Sequence, residues 1–256
     1  IRDNQATGLG AVVLSSLAGY CVGDIKTELN GKLTEELKRN LYGEYETPLS
    51  ILIKASDGAS DYGNKFGEPI IGGFTRSFTT DNIVDVNGNK VDRIEWVKPI
   101  MFSAGVGAIS EENLYKKDAK PGMLVIRIGG PAYKIGLGGG YASSLDQDSN
   151  NSDNDQSAVQ RGDPEMCTKM NNVIRYLIDN KNIIVSIHDQ GSGGLGNVVK
   201  EIVHPYGADI HLDNVTLGDK TMDGWEIWSA EFQESNVLLI DKLSLNKLEF
   251  ICKREK

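Results

Sequence analysis

The stretch SIHDQGSGGLGN, residues 186–197, restricts the fold of this chain more than any other. An apolar run from Ile183 to Ile187 ends in His188-Asp189, and four of the next seven residues are glycine. Leu195, Val198, Val199, Ile202 and Val203 then recur at helical spacing. The pattern is a buried strand, a glycine-rich turn and a helix. Such a turn aims several backbone N–H groups at one point, and the missing Cβ atoms let a ligand's oxygens come close. That geometry favours an anion. Asp189 would repel a phosphate unless a cation lay between them, and Mg²⁺ shared by carboxylates and phosphate oxygens is the usual arrangement. On this stretch alone two readings stand: a nucleotide-phosphate site with a metal, or a turn in which Asp189 caps the next helix and His188 is an ordinary core histidine.

The rest of the second half has similar grammar. MLVIRI is a strand that runs into GGPAYKIGLGGG, where six of twelve residues are glycine. This run is not a P-loop, because it lacks the Lys-Ser or Lys-Thr ending. Residues 143–157 are polar and of low complexity, as expected of a loop. Asp163 and Pro164 then open a helix whose apolar face carries Met166, Met170, Val173, Ile174, Leu177 and Ile178. NVLLI, from Asn236, is another buried strand. In the first half, Ala11 to Ala18 is small and apolar, and Gly31 to Tyr45 is polar enough for a surface helix or loop. PLSILIKAS reads as a strand, ASDGASDYGNKFGEPIIGGF as a series of turns, and residues 93–109 as one strand-like block. The charged segment ending in Pro121-Gly122 puts a domain boundary near residue 120, dividing the chain into 1–119 and 120–256.

Charge and cysteine content narrow the function. With 36 acidic and 27 basic residues the formal charge is −9, a poor match to a polyanion surface, so nucleic acid is not an expected partner. A small phosphorylated ligand held by local groups and a cation stays possible. No apolar run approaches the roughly 20 residues of a membrane helix, so no membrane association is expected. Three cysteines without a CxxC pair suggest neither a disulfide framework nor zinc, and fit a reducing compartment such as the cytoplasm. No Ser-His-Asp or Cys-His pattern supports covalent hydrolysis. Arg2-Asp3 sets a cation beside a carboxylate, as a ligand site or a solvated surface pair. Gln160-Arg161 precedes a helix start, where a ligand or only a loop is equally served. Glu231, Gln233 and Glu234 precede a buried strand and fit an edge pattern as well as a site. The chain opens without Met or a leader-like segment, as expected of a piece of a longer protein.

Seven stretches in order resemble the formylglycinamidine ribonucleotide synthase (phosphoribosylformylglycinamidine synthase) family, in its large single-chain form: IRDNQATGLG, ASDGASDYGNKFGEPIIGGF, KPIMFSAGVG, IGGPAYKIGLGGGYASS, AVQRGDPEM, SIHDQGSGGLGNVVKEI and EIWSAEFQESNVLL. The resemblance implies an α+β fold like that of aminoimidazole ribonucleotide synthetase, with an α/β C-terminal half. It implies an ATP-dependent C–N ligase of purine biosynthesis that turns formylglycinamide ribonucleotide into the amidine with ammonia from a glutaminase domain. By motif, Arg2, Gln160, Glu231 and Gln233 would contact the substrate, and Asp3 and Asp189 would bind Mg²⁺. Phe232 stands where smaller relatives have Ser. The family's catalytic histidine would lie upstream of this chain and the glutaminase cysteine downstream, so the remaining domains of the same enzyme would be its partners. A noncatalytic nucleotide-binding or scaffold repeat of the same superfamily is the alternative.

Overall fold

A computed structural model describes residues 2–43, 45–65, 67–84, 87–137, 162–231 and 234–256. In chain order the elements are α1 (Arg2–Gln5), β1 (Val12–Val22), α2 (Lys26–Leu29), α3 (Glu35–Tyr42), α4 (Pro48–Gly63), β2 (Ile70–Ser77), β3 (Thr79–Val84), β4 (Lys90–Glu95) and β5 (Ile100–Ala108). They continue with β6 (Leu124–Gly129), α5 (Pro164–Asp179), β7 (Ile184–Asp189), α6 (Gly194–Ile202), α7 (Gly224–Ser229), β8 (Ser235–Ile240) and α8 (Leu245–Arg254). Helices and sheets are mixed along the chain, as in an α+β fold. By internal contacts the chain forms two units, Ser15–Val106 and the pair Ile1–Leu14 with Gly107–Lys256.

In the first unit β1 is the middle strand of a sheet ordered β2-β1-β5, with β1 and β2 parallel, and β3 and β4 form an antiparallel pair. The segment PLSILIKAS, expected as a strand, is helix α4, and the helix continues to Gly63, through the first part of the stretch expected to turn, whose end from Ile70 belongs to β2. The cause is the start signal. Thr47 accepts a hydrogen bond from the Ser50 amide and Pro48 occupies the first turn, so four orphan N–H groups are partly satisfied before the short apolar run can favour a strand. Residues 93–109, expected as one block, are split between β4 and β5, which belong to different sheets. Ile71, Phe74, Met101, Phe102 and Val106 of β2 and β5 are exposed.

The second unit carries the three-stranded sheet β6-β8-β7, antiparallel throughout. Period-2 alternation sorts its strands between two cores. Ile128, Leu238 and Ile240 pack with Met170, Val173, Ile174 and Leu177 of α5 and Leu248 and Ile251 of α8. Val237 and Leu239 face Leu195, Val198, Val199 and Ile202 of α6. In β7, Ile184 and Ile187 share the α5 face although they are three positions apart. A register shift between Ile184 and Ser186 absorbs the extra residue, and without it one of these buried isoleucines would face the wrong core. Burying each such side chain contributes about 1.5–3 kcal/mol. The apolar spacing of α5 and its Asp163 cap, whose carboxylate accepts from the Met166 amide at 3.0 Å, agree with the sequence.

Candidate functional site

The site lies in the second unit, where α1 packs against β7 and α5. Asp3 sits in the first turn of α1, and Asp189 is the last residue of β7. Their carboxyl groups are within hydrogen-bonding reach of each other. Burial raises the pKa of Asp189, the hydrogen bond to Asp3 and the charge of Asp3 raise it further, and nearby His188 pulls the other way. Two carboxylates in contact repel when both are ionised, and either a shared proton or a cation between them removes the repulsion. Arg2 lies in the same helix as Asp3.

Beyond Asp189 the chain turns through Gln190 to Gly193 and enters α6. The helix is not capped by Asp189. Its N-cap is Gly193 in a left-handed conformation, with no side-chain cap, so the capping alternative is set aside. Nor is His188 a buried core histidine: it is half-buried, Nε2 meets Glu201 of α6 at 2.7 Å, and Nδ1 meets the Asp189 carbonyl at 2.7 Å. The glycine at 194 serves a close approach. At φ +60° its backbone lies so near the Ser229–Ala230 segment that a Cβ would stand 2.5 Å from the Ala230 oxygen.

That approach brings the loop before β8 to the turn. Gln190 is buried, its amide N–H donates to the Ser235 carbonyl at 3.0 Å, and its side-chain Nε2 donates to the Ala230 carbonyl at 3.2 Å. Glu231 follows immediately. Its N–H donates to the Ile135 carbonyl at 2.7 Å, and its buried side chain occupies the space left by the absent Cβ of Gly136. Gln190 Oε1, Glu231 Oε1 and Asn236 Oδ1 are buried acceptors for which the described residues supply no hydrogen-bond donor. Buried polar groups are nearly always satisfied, so three such acceptors near one set of strand ends are what a ligand site leaves for its ligand or ordered water.

Asp3, Asp189 and Glu231 are therefore placed in one unit around the end of one sheet. Gln160 and Gln233 lie outside the described residues. Just after Gln160, Gly162 and Asp163 line a cavity of about 310 Å³ together with Gly130, Pro131, Tyr133 and Glu234. Gln5, Gln190 and Asn236 were not singled out in the sequence, although an amide inside an apolar strand, as in SNVLLI, is itself a sign of a buried polar contact. The donors at the Asp3–Asp189 pair are carboxylate oxygens, which suit a hard cation. Mg²⁺ keeps several waters and takes only one or two carboxylates with ligand phosphates. Among the described residues no group of three or more His, Cys, Asp and Glu is placed to hold a metal, so the pair fits that sparse mode rather than an all-protein cage. No helix of the described residues is long and apolar enough to cross a membrane.

The second unit is thus an α+β unit that sets two carboxylates beside a glycine-rich strand-to-helix turn. Comparison with known families agrees: residues 120–256 match the family model "AIR synthase related protein, C-terminal domain", and the chain belongs to this family. It is 50% identical to "Probable phosphoribosylformylglycinamidine synthase, chloroplastic/mitochondrial" of Arabidopsis thaliana and 47% identical to "Phosphoribosylformylglycinamidine synthase" of Homo sapiens, over all of this chain. It spans only 18% and 19% of those proteins. Among solved structures, Thermotoga maritima PurL complexed with FGAR aligns over the whole chain and 35% of PurL, with a TM-score of 0.65 and 20% identity. The HypE-HypF complex aligns over 99% of this chain and 70% of that one, with a TM-score of 0.59 and 18% identity. At those identities the likeness is one of fold.

Proposed function

We propose that this chain is part of a phosphoribosylformylglycinamidine synthase, the ATP-dependent ligase that converts formylglycinamide ribonucleotide to its amidine with glutamine-derived ammonia. ATP would phosphorylate the amide oxygen, and ammonia would displace phosphate. The facing pair Asp3–Asp189 carries the proposal, because a synthetase that moves a phosphoryl group needs carboxylates where a cation and phosphates meet. Its identity to synthases across the whole chain, and the FGAR and ATP complexes of PurL with this fold, support the reading.

In this proposal Asp3 and Asp189 would hold Mg²⁺, which supplies charge neutralisation for the transferring phosphoryl group. Arg2, Gln160, Glu231 and Gln233 would contact formylglycinamide ribonucleotide. Glu231 is buried with one acceptor oxygen to which no described residue donates, suited to receive a substrate N–H or hydroxyl. Residues 1–119 and 120–256 would correspond to the two synthetase-like subdomains, and a catalytic histidine and the glutaminase would come from other parts of the polypeptide. The cytoplasm fits the three free cysteines. Amidine formation from formylglycinamide ribonucleotide, ATP and glutamine, measured on the full-length protein and its Asp189→Asn variant, tests the reading. A loss of several orders of magnitude in turnover with the protein still folded is expected. Turnover near the wild-type rate would assign the chain to a scaffold or noncatalytic nucleotide-binding role.

A further inference from the structure

Asp3 belongs to a helix of only four residues, too short to hold its own place, since helix nucleation is unfavourable and short helices depend on tertiary contacts. What fixes it is a buried polar connection. Gln5, the last residue of α1, is fully buried, and its Oε1 accepts from Asn236 Nδ2 at 3.2 Å while its Nε2 points to Cys167 Sγ at 3.6 Å. Asn236 is also fully buried and lies in β8 at the position paired with Asp189 of β7. Downstream, the Asn182 side chain donates to the Leu9 carbonyl at 2.9 Å and pins the segment that follows the helix.

We infer that Gln5 and Asn236 form a buried amide lock that sets the position of α1 on the sheet and so places Asp3 opposite Asp189, which makes both amides positioning residues for the cation site. The inference rests on the proposed cation role of Asp3 and Asp189. The physical case is one of specificity. Burying two amides costs free energy unless each finds a partner, and apolar side chains of the same size would bury more favourably. A hydrophobic contact tolerates sliding and rotation of a single helical turn, whereas an amide pair has one acceptable geometry. Asn236 is the residue through which that geometry reaches Asp189, because a strand partner cannot shift without moving the residue opposite it.

The test is Mn²⁺ binding to the full-length polypeptide, followed by the electron paramagnetic resonance signal of free Mn²⁺, in the wild type, Asp189→Asn, Gln5→Leu, Asn236→Leu and the double variant Gln5→Leu/Asn236→Leu. The binding lost in Asp189→Asn defines the site. Each single substitution strands a buried amide and lowers the thermal midpoint. The double variant removes both polar partners together, so its midpoint recovers toward wild type, but its Mn²⁺ affinity at this site stays at least tenfold weaker. Affinity within twofold of wild type in the folded double variant overturns the inference and leaves the amides a purely structural role. Mn²⁺ binding unchanged in Asp189→Asn instead overturns the cation reading itself.

Discussion

Gly194→Ala examines how the turn at Asp189 is held against the loop that carries Glu231. The glycine has φ +60°, and an added Cβ would stand 2.5 Å from the Ala230 carbonyl oxygen and 2.7 Å from the Ser229 carbonyl carbon. Both contacts are backbone, so no side chain can swing aside. A left-handed conformation costs an L-residue about 1–2 kcal/mol and overpacking adds about 1–3, so the substitution should destabilise by about 2–5 kcal/mol. Gly191, three residues earlier in the same turn, is the internal control. A Cβ there meets nothing within 4 Å, and the residue is not in a positive-φ conformation, so Gly191→Ala should stay within about 1 kcal/mol of wild type. Urea unfolding followed by tryptophan fluorescence reads both, with Trp228 of α7, which lies against Gly196 of α6, as reporter. Equal stability of the two variants would refute the close approach on which the placement of Glu231 depends.

Asp189 gives a prediction with a definite sign. Its folded pKa is raised by burial and by Asp3, so between the unfolded value, about 3.9, and the folded one the native chain binds more protons than the unfolded chain. Its ionisation therefore costs stability as pH rises through the folded pKa. Metal-free Asp189→Asn should be at least as stable as wild type at neutral pH, with a difference that shrinks toward pH ~4 and that Mg²⁺ narrows. Thermal unfolding across pH reads this, and a variant less stable by the same margin at every pH contradicts it. The exposed apolar side chains of β2 and β5, with the Phe74 and Phe102 rings tilted against each other at 5.6 Å between centroids, predict that the isolated chain self-associates. Sedimentation velocity should show dimers or larger species that Phe102→Asp reduces, and a sharp monomer boundary for the wild type would count against that surface being adhesive.

The second half of the fold was legible because its signals agree. Asp163-Pro164 starts a helix with a continuous apolar stripe, and the apolar runs of β7 and β8 are bounded by glycine or polar residues. In α4 the signals conflict. A short apolar run and several small polar residues suggest strand and turn, yet the Thr47-Pro48 start and backbone continuity through Gly58 make a helix. The same Asx- or Thr-Pro cue stands at residues 163 and 47, but only at 163 does a continuous apolar stripe follow it. At the site, Asp189 could be argued from charge next to a glycine turn. Its meeting with Asp3 could not, because the two are 186 positions apart and only the packing of α1 joins them. Gln5 and Asn236 were hidden for the same reason: their partner is each other, 231 positions apart.

Whether Asp3 and Asp189 form one cation-dependent nucleotide site is decided by a calorimetric titration of an ATP analogue into the full-length protein. It is run with and without Mg²⁺, on wild type and Asp189→Asn. Binding should require Mg²⁺ in the wild type and weaken at least tenfold on the substitution, with the fold retained. Equal affinity with and without Mg²⁺, unchanged in Asp189→Asn, would contradict it.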